Sequence, residues 1–289
     1  MASNLECVGL AVADHAGLAR LVDQALGHAQ PLGAAHGVTV LRWRDPSGAS
    51  LVIAVRGREV VDLLPSFAGA PGARLANVRA ANDEVALADV LDEEGQQVTM
   101  VAVELEQRRL LPGAAGPVGG SASVVALGVD VTVHADAEAF ARSDASLLHA
   151  GGDDGGDGGD GDRGGGSAAG DAGEPPAHVR ERGLPWPPRM AAESLISYGV
   201  FGPADQAEAY ARLHGTVLDA QERTVAATGQ RFVAARVRTA GFDLDLCHPA
   251  WRVPQAGNII GGTVFLVASL PLATGAGPAA RRSWLPWRR

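Results

Sequence analysis

Apolar residues fall along this chain in short bursts, most with the two-residue rhythm of half-buried strands. Residues 5–13 (LECVGLAVA) read as a first strand. Asp14 stands where a helix N-cap belongs, and Leu18, Leu21, Val22, Ala25 and Leu26 follow at the spacing of one helix face, up to Gly27. Residues 38–44 and 49–56 predict two strands joined through Asp45-Pro46-Ser47-Gly48, a strong turn sequence. Further strands are predicted over 75–80, 98–106 and 124–133 and a helix over 135–148, while residues 83–94 fit either a short helix or a strand. After a polar interval, 194–201, 210–218, 231–239, 242–247 and 258–270 predict short strands separated by Gly-containing turns, with no long helix.

This pattern divides the chain. Residues 1–149 read as a βαββ-type α+β domain, 190–273 as a small antiparallel β-barrel, and 274–289 as a basic Trp/Arg tail. Between them, residues 150–189 form a Gly/Asp/Pro-rich linker. Its stretch 151–166, GGDDGGDGGDGDRGGG, has no apolar side chain to enter a core, so the linker is expected to be disordered.

Composition then removes several chemistries. All 24 basic residues are Arg, so a Walker-type phosphate loop, a Schiff-base lysine and a lysine general base are excluded. A net charge of −9 has the wrong sign for a general nucleic-acid binder. Cys7 and Cys247 lie far apart with no CxxC, which indicates neither a zinc knuckle nor a disulfide framework. The uncharged stretch 253–280 has an apolar heart, 259–272, of 14 residues interrupted by Gly261, Gly262 and Pro271. A helix of that length spans about 21 Å against a hydrocarbon core of about 30 Å, so a buried strand is expected and no transmembrane span. The opening residues show neither a basic nor an apolar leader region, which leads to the expectation of a cytoplasmic protein.

The first 53 residues resemble the opening module of the vicinal oxygen chelate (glyoxalase/bleomycin-resistance) superfamily. The resemblance is carried by residues 5–14 (LECVGLAVAD), by Leu26-Gly27 closing the helix, and by Asp45-Pro46-Ser47-Gly48 before Leu51. It implies a metal site with a His in the first strand and a Glu after the turn. Those positions hold Cys7 and Val52 here, and no His opens the possible second module at 129–148. Val offers no lone pair, so the Lewis-acid chemistry of that family loses a ligand, and Cys7 reads as a small buried hydrophobe. Residues 209–270 resemble an OB-type barrel, with Leu213-His214-Gly215-Thr216-Val217 as a Gly-kinked first strand. That likeness implies a groove for single strands or sugars, yet Phe242, alternating with Leu244 and Leu246, reads as core.

Asp243, Asp245, Cys247 and His248 form the densest ligand-type cluster, and Asp243, Asp245 and His248 are the candidate metal ligands. Alternation puts Asp243, Asp245 and Cys247 on one strand face, about 6.6 Å apart in steps of two, which is wide for shared coordination by short side chains. A solvated outer face of an amphipathic strand explains everything seen and is the preferred reading. Gly156, Gly158 and Gly161 satisfy G-x-G-x-x-G without the flanking strand and helix that a dinucleotide site needs. No HExxH, HxH or GxSxG occurs, so no catalytic residue and no cofactor is nominated. Arg281, Arg282, Trp284, Trp287, Arg288 and Arg289 form an interaction candidate for an anionic surface: phospholipid headgroups, RNA or the protein's own acidic face. Pro286 disfavours a helix there.

The expectation is therefore a non-catalytic cytoplasmic binding or interaction protein, its partner an unidentified small molecule or protein. The alternatives are a vicinal-oxygen-chelate-type metalloenzyme or small-molecule-sequestering protein, and an OB-type single-stranded nucleic-acid binder.

Overall fold

The computed structural model describes residues 2–111, 118–149, 180 and 186–270. Residues 1, 112–117, 150–179, 181–185 and 271–289, which include most of the predicted linker and the whole basic tail 274–289, lie outside the described residues.

The turn sequence 45–48 does what its chemistry dictates. It joins strands β2 (Val38–Arg44) and β3 (Ala49–Arg56), flanked by β1 (Gln30–Ala35) and β4 (Glu59–Phe67), in an antiparallel meander of order β1-β2-β3-β4. Helix α1 (His15–Leu26), capped by the Asp14 carboxylate on the Gly17 amide (2.7 Å), packs on β2.

The remaining strands are β5 (Ala73–Ala80), β6 (Ala86–Leu91), β7 (Gln97–Leu105), β8 (Val118–His134), β9 (Ser194–Ser197), β10 (Tyr210–Thr224), β11 (Arg231–Arg238), β12 (Asp243–Pro249) and β13 (Ile259–Ser269). They form one nine-stranded sheet that closes on itself. Two long strands, β8 and β13, pair antiparallel from Ser123↔Ser269 to His134↔Ile259. One circuit of five strands runs β8-β12-β11-β10-β13, and a second runs β8-β5-β6-β7-β13. The circuits are stacked along the shared pair, because β5 takes the free edge of β8 at 118–122 and β12 takes it at 125–127. Inward residues from both, among them Leu75, Val103, Val124, Leu213, Leu244 and Leu266, make one core. A bulge at Gly128–Asp130 shifts the alternation of β8, so Val124 and Ala126 face inward before it and Val131 and Val133 after it.

A second core lies between the outer face of this sheet and the meander, where Phe232, Leu127 and Cys247 meet Leu51, Ile53 and Phe67. The Phe67 and Phe232 rings meet edge to face at 6.0 Å. Asp45 fastens these layers. Its buried carboxylate accepts the amides of Ser47 (2.9 Å), Ala226 (3.1 Å) and Ala227 (3.2 Å), and the last two belong to the β10–β11 turn.

Burial alone would raise the Asp45 pKa, but these donors outweigh it and hold the carboxyl below its ordinary value. The stability it contributes is present above the ordinary carboxylate pKa and is lost as pH falls through the lower folded-state value. Asp45→Ala should cost about 2–3 kcal/mol at pH 7 in urea melts, with the gap to wild type closing towards pH 2. A pH-independent gap would show that the carboxylate charge is not what matters.

The α+β expectation is overturned: about half of the described residues are in strands, and α1 and α2 (Ala137–Ala141) are the α-helices among them. Residues 5–13 do not form the predicted strand. Glu6–Val8 make a 3-10 turn ended by Gly9 in the left-handed region (φ 68°), and the chain beyond is held by side chains instead of a ladder. Thr228 Oγ1 donates to the Gly9 carbonyl (2.7 Å), while the Gln230 amide bonds both the nitrogen (2.9 Å) and the oxygen (2.7 Å) of Ala11. The helix predicted over 135–148 stops early, where the Ser143 hydroxyl turns back onto the Phe140 carbonyl (2.7 Å). Residues 83–94 resolve as β6 and its flanking turns. Nor do the strands after 190 close a barrel alone: their circuit needs β8, and its β12–β8 contact is parallel.

Candidate functional site

Two places gather polar side chains beyond what a solvated surface requires. The first follows from alternation in β7. Val101, Val103 and Leu105 point into the inner core, so Glu104, and beyond the strand Glu106, face the meander. The Glu106 side chain, 1% exposed, pairs with Arg42 of β2 (2.7 Å) and accepts the Ser66 hydroxyl of β4 (2.7 Å). Gln107 adds bonds to Ser269 Oγ (3.1 Å) and from the Leu270 amide (3.2 Å). Arg108 bridges the layers, reaching Asp62 of β4 at 2.6 Å and Glu104 at 3.3 Å, and Arg109 also reaches Asp62 (3.2 Å).

Glu104 is the perturbed acid of this cluster. Burial pushes its pKa up to about 7, with Asp62 and Glu84 adding to the rise and Arg108 and Arg109 opposing it. Arg108 opposes only in part because Asp62 is its nearer partner. The folded state thus holds a proton that the unfolded chain releases near its ordinary value of 4.5. Between those values stability falls as pH rises, then levels off above the folded pKa. Wild type should lose on the order of 2–3 kcal/mol of unfolding free energy across that window, relative to Glu104→Gln. Chemical denaturation at pH 5 and pH 8 measures this, and parallel pH profiles for the two proteins would refute the assignment.

The second place is a groove of about 760 Å³ where β5 and β12 part from the shared edge of β8. Gly72 sits at the fork. Its amide donates to the Ala122 carbonyl (3.1 Å) and its own carbonyl accepts the Asp243 amide (3.2 Å), while a Cβ there would collide with Arg236 and with the Asp243 carbonyl. One wall, from β5 and the β6–β7 turn, carries Arg74, Asp92 and Glu93. The other carries Glu193, Arg238 and Asp243. Arg238 is engaged by Asp243 (3.4 Å), Glu193 accepts the Thr216 hydroxyl (2.6 Å) and Asp92 accepts the Gln96 amide (2.7 Å). Arg74 and Glu93 have no ion pair among the described residues and both are exposed.

The residues nominated from sequence separate. Asp243 lines the groove. Asp245, cross-strand partner of Arg236, pairs with it at 3.0 Å, and Arg236 also bonds the carbonyls of Ala70 (3.1 Å) and Pro71 (3.2 Å). Burial raises the Asp245 pKa against the pull of Arg236. His248 lies on the opposite strand face, fully buried, with Nδ1 bonded to the Pro249 carbonyl (2.7 Å), its ring against Trp251 (5.1 Å) and its pKa lowered by burial. Among the described residues no group of three His, Cys, Asp or Glu is placed to hold a metal ion. The outer face of β12 is also not the solvated one expected, since Asp245 is buried and Cys247 wholly so beneath the 3-10 turn.

Cys7 and Val52, the positions of the resemblance to the vicinal oxygen chelates, are both buried in the second core. Cys7 donates its thiol to the Gly128 carbonyl (3.3 Å), and burial raises its pKa to about 12, so it stays a thiol at neutral pH. Arg281, Arg282, Trp284, Trp287, Arg288 and Arg289 lie outside the described residues. On the outer face of β10, His214 is buried against Phe140 (4.8 Å), and burial drives its pKa down to about 3. No protein-family description, no characterised protein and no solved structure matches this chain.

Proposed function

We propose that the protein is a non-catalytic cytoplasmic binding protein whose binding face is the groove between the two strand circuits. The observation that carries this reading is the groove itself: a concavity on the scale of a small-molecule or peptide site, presenting Arg74 and Glu93, which have no ion pair among the described residues. The most perturbed acid, Glu104, supports the non-catalytic part, since it is spent on linking layers. Two free, buried cysteines fit a reducing compartment. Among the described residues no helix is long and apolar enough to cross a membrane.

Ligand-observed NMR with a panel of charged fragments (amino-acid amides, guanidines and carboxylates) tests the reading. Hits should compete with one another, perturb amides around Arg74, Glu93 and Asp243, emerge chemically unchanged, and weaken at least tenfold in Arg74→Ala/Glu93→Gln. Hits that gather elsewhere, or fragments that are turned over, would overturn it.

A further inference from the structure

The groove has an electrostatic character that narrows what fits it. Its walls hold four carboxylates, Asp92, Glu93, Glu193 and Asp243, against two guanidinium groups, Arg74 and Arg238. It therefore favours a net cation, while the exposed Arg74, without an ion pair among the described residues, offers a face for an aromatic ring. The chain contains one stretch with that combination. Residues 281–289 (RRSWLPWRR) carry four Arg, two Trp and no acid, in a chain of net charge −9.

The geometry of the last described residues puts this stretch within range. β13 ends at Ser269, paired with Ser123 of β8. The Leu270 side chain comes within 3.7 Å of the position a Cβ would take on Gly120, the neighbour of the groove-lining Ser121. From there residues 271–280, which hold no charge, give ten residues of spacer. Extended, such a spacer reaches about 33–36 Å.

We propose that residues 281–289 are an intramolecular occupant of the groove, their guanidinium groups meeting its surplus carboxylates and their indoles covering Arg74. This rests on the groove being the binding face. It adds that the face is self-occupied, so an outside ligand binds by displacing the chain's own segment. A short tether gives an effective concentration of about 1 mM, so even a segment that binds at about 0.1 mM would be docked roughly ten times out of eleven. Contacts between exposed charges are screened, so docking weakens with salt.

The test uses the full-length chain. Trypsin cleavage after Arg281, Arg282 and Arg288 is followed by mass spectrometry and divided by the rate for a free 278–289 peptide under the same conditions. Protection should be about tenfold at 20 mM NaCl. It should disappear at 500 mM NaCl. It should also disappear at low salt in Glu93→Arg/Glu193→Arg, and be reduced in Glu93→Gln/Glu193→Gln. Both positions are exposed, so these variants are expected to keep the wild-type melting temperature. Protection that survives the charge reversal, is absent from wild type, or arises only with added anionic vesicles overturns the inference. The fragment panel repeated on a chain with Arg281, Arg282, Arg288 and Arg289 all replaced by Ala separates the two claims. Tighter fragment binding there than in wild type supports self-occupancy; unchanged binding at the groove refutes self-occupancy and leaves the binding face standing.

Discussion

Glu106→Ala is expected to unfold about 3–5 kcal/mol more easily than wild type, lowering the melting temperature by about 10 °C. The carboxylate it removes is 1% exposed and has two dedicated partners. Without it Arg42, whose side chain is only 18% exposed, keeps its charge between two layers with nothing to answer it, and the Ser66 hydroxyl loses its acceptor. Desolvation already bears on Arg42: burial lowers its pKa, with Arg44 adding to the effect and Glu106 opposing it. The cost therefore comes from the stranded partner more than from the lost attraction. It follows that Arg42→Leu/Glu106→Leu should recover most of the loss, to within about 1–2 kcal/mol of wild type. If the double variant is as unstable as the single one, the pair does more than neutralise itself, and the stranded-charge explanation fails.

Gly262→Ala should be comparably damaging, at about 3 kcal/mol or more. Gly262 lies in the shared β8–β13 pair at φ 146°, a conformation that side chains rarely adopt. A Cβ there would run into the Asp130 carbonyl oxygen, across the ladder at the β8 bulge. Both circuits depend on that pair, so local relief would be paid as lost register in the whole sheet. Gly257→Ala is the control. It also has positive φ (87°) but open space where the Cβ would go, so it should cost only about 1–2 kcal/mol, from backbone strain alone. Equal losses at the two positions would mean that conformation, and not crowding between strands, governs Gly262.

Much of the local structure is legible in single residues. Asp14 begins α1 by accepting the Gly17 amide three residues ahead. The Asp45–Gly48 turn and its two strands occur where the pattern puts them. The candidate site is only partly legible. Asp243 belongs to the cluster nominated from sequence and does line the groove, but Arg74 and Glu93 carry no motif, because the groove exists only where two strands leave a third. Glu104 and Glu106 did leave a signal, two acids alternating with Val103 and Leu105 where the largely apolar β7 ends. Alternation assigns them to a face; it cannot say that the face is covered by β4 and Arg42 rather than by water.

What the sequence by itself determined is whatever depends on near neighbours along the chain: caps, turns, the two-residue rhythm of the strands, and a charge pattern that separates an acidic body from an arginine-rich segment. What only the tertiary structure decided is how those strands partner. Residues 5–13 have strand-like composition yet give up the ladder, because Thr228 and Gln230, more than two hundred positions away, satisfy their backbone instead. β8 and β13, separated by over a hundred residues, pair and so merge two apparent domains into one sheet. The physical reason is that a strand's edges are chemically alike wherever it lies, every residue offering the same N–H and C=O. Local propensity makes a strand, and only the burial of faces in the assembled molecule selects its partner.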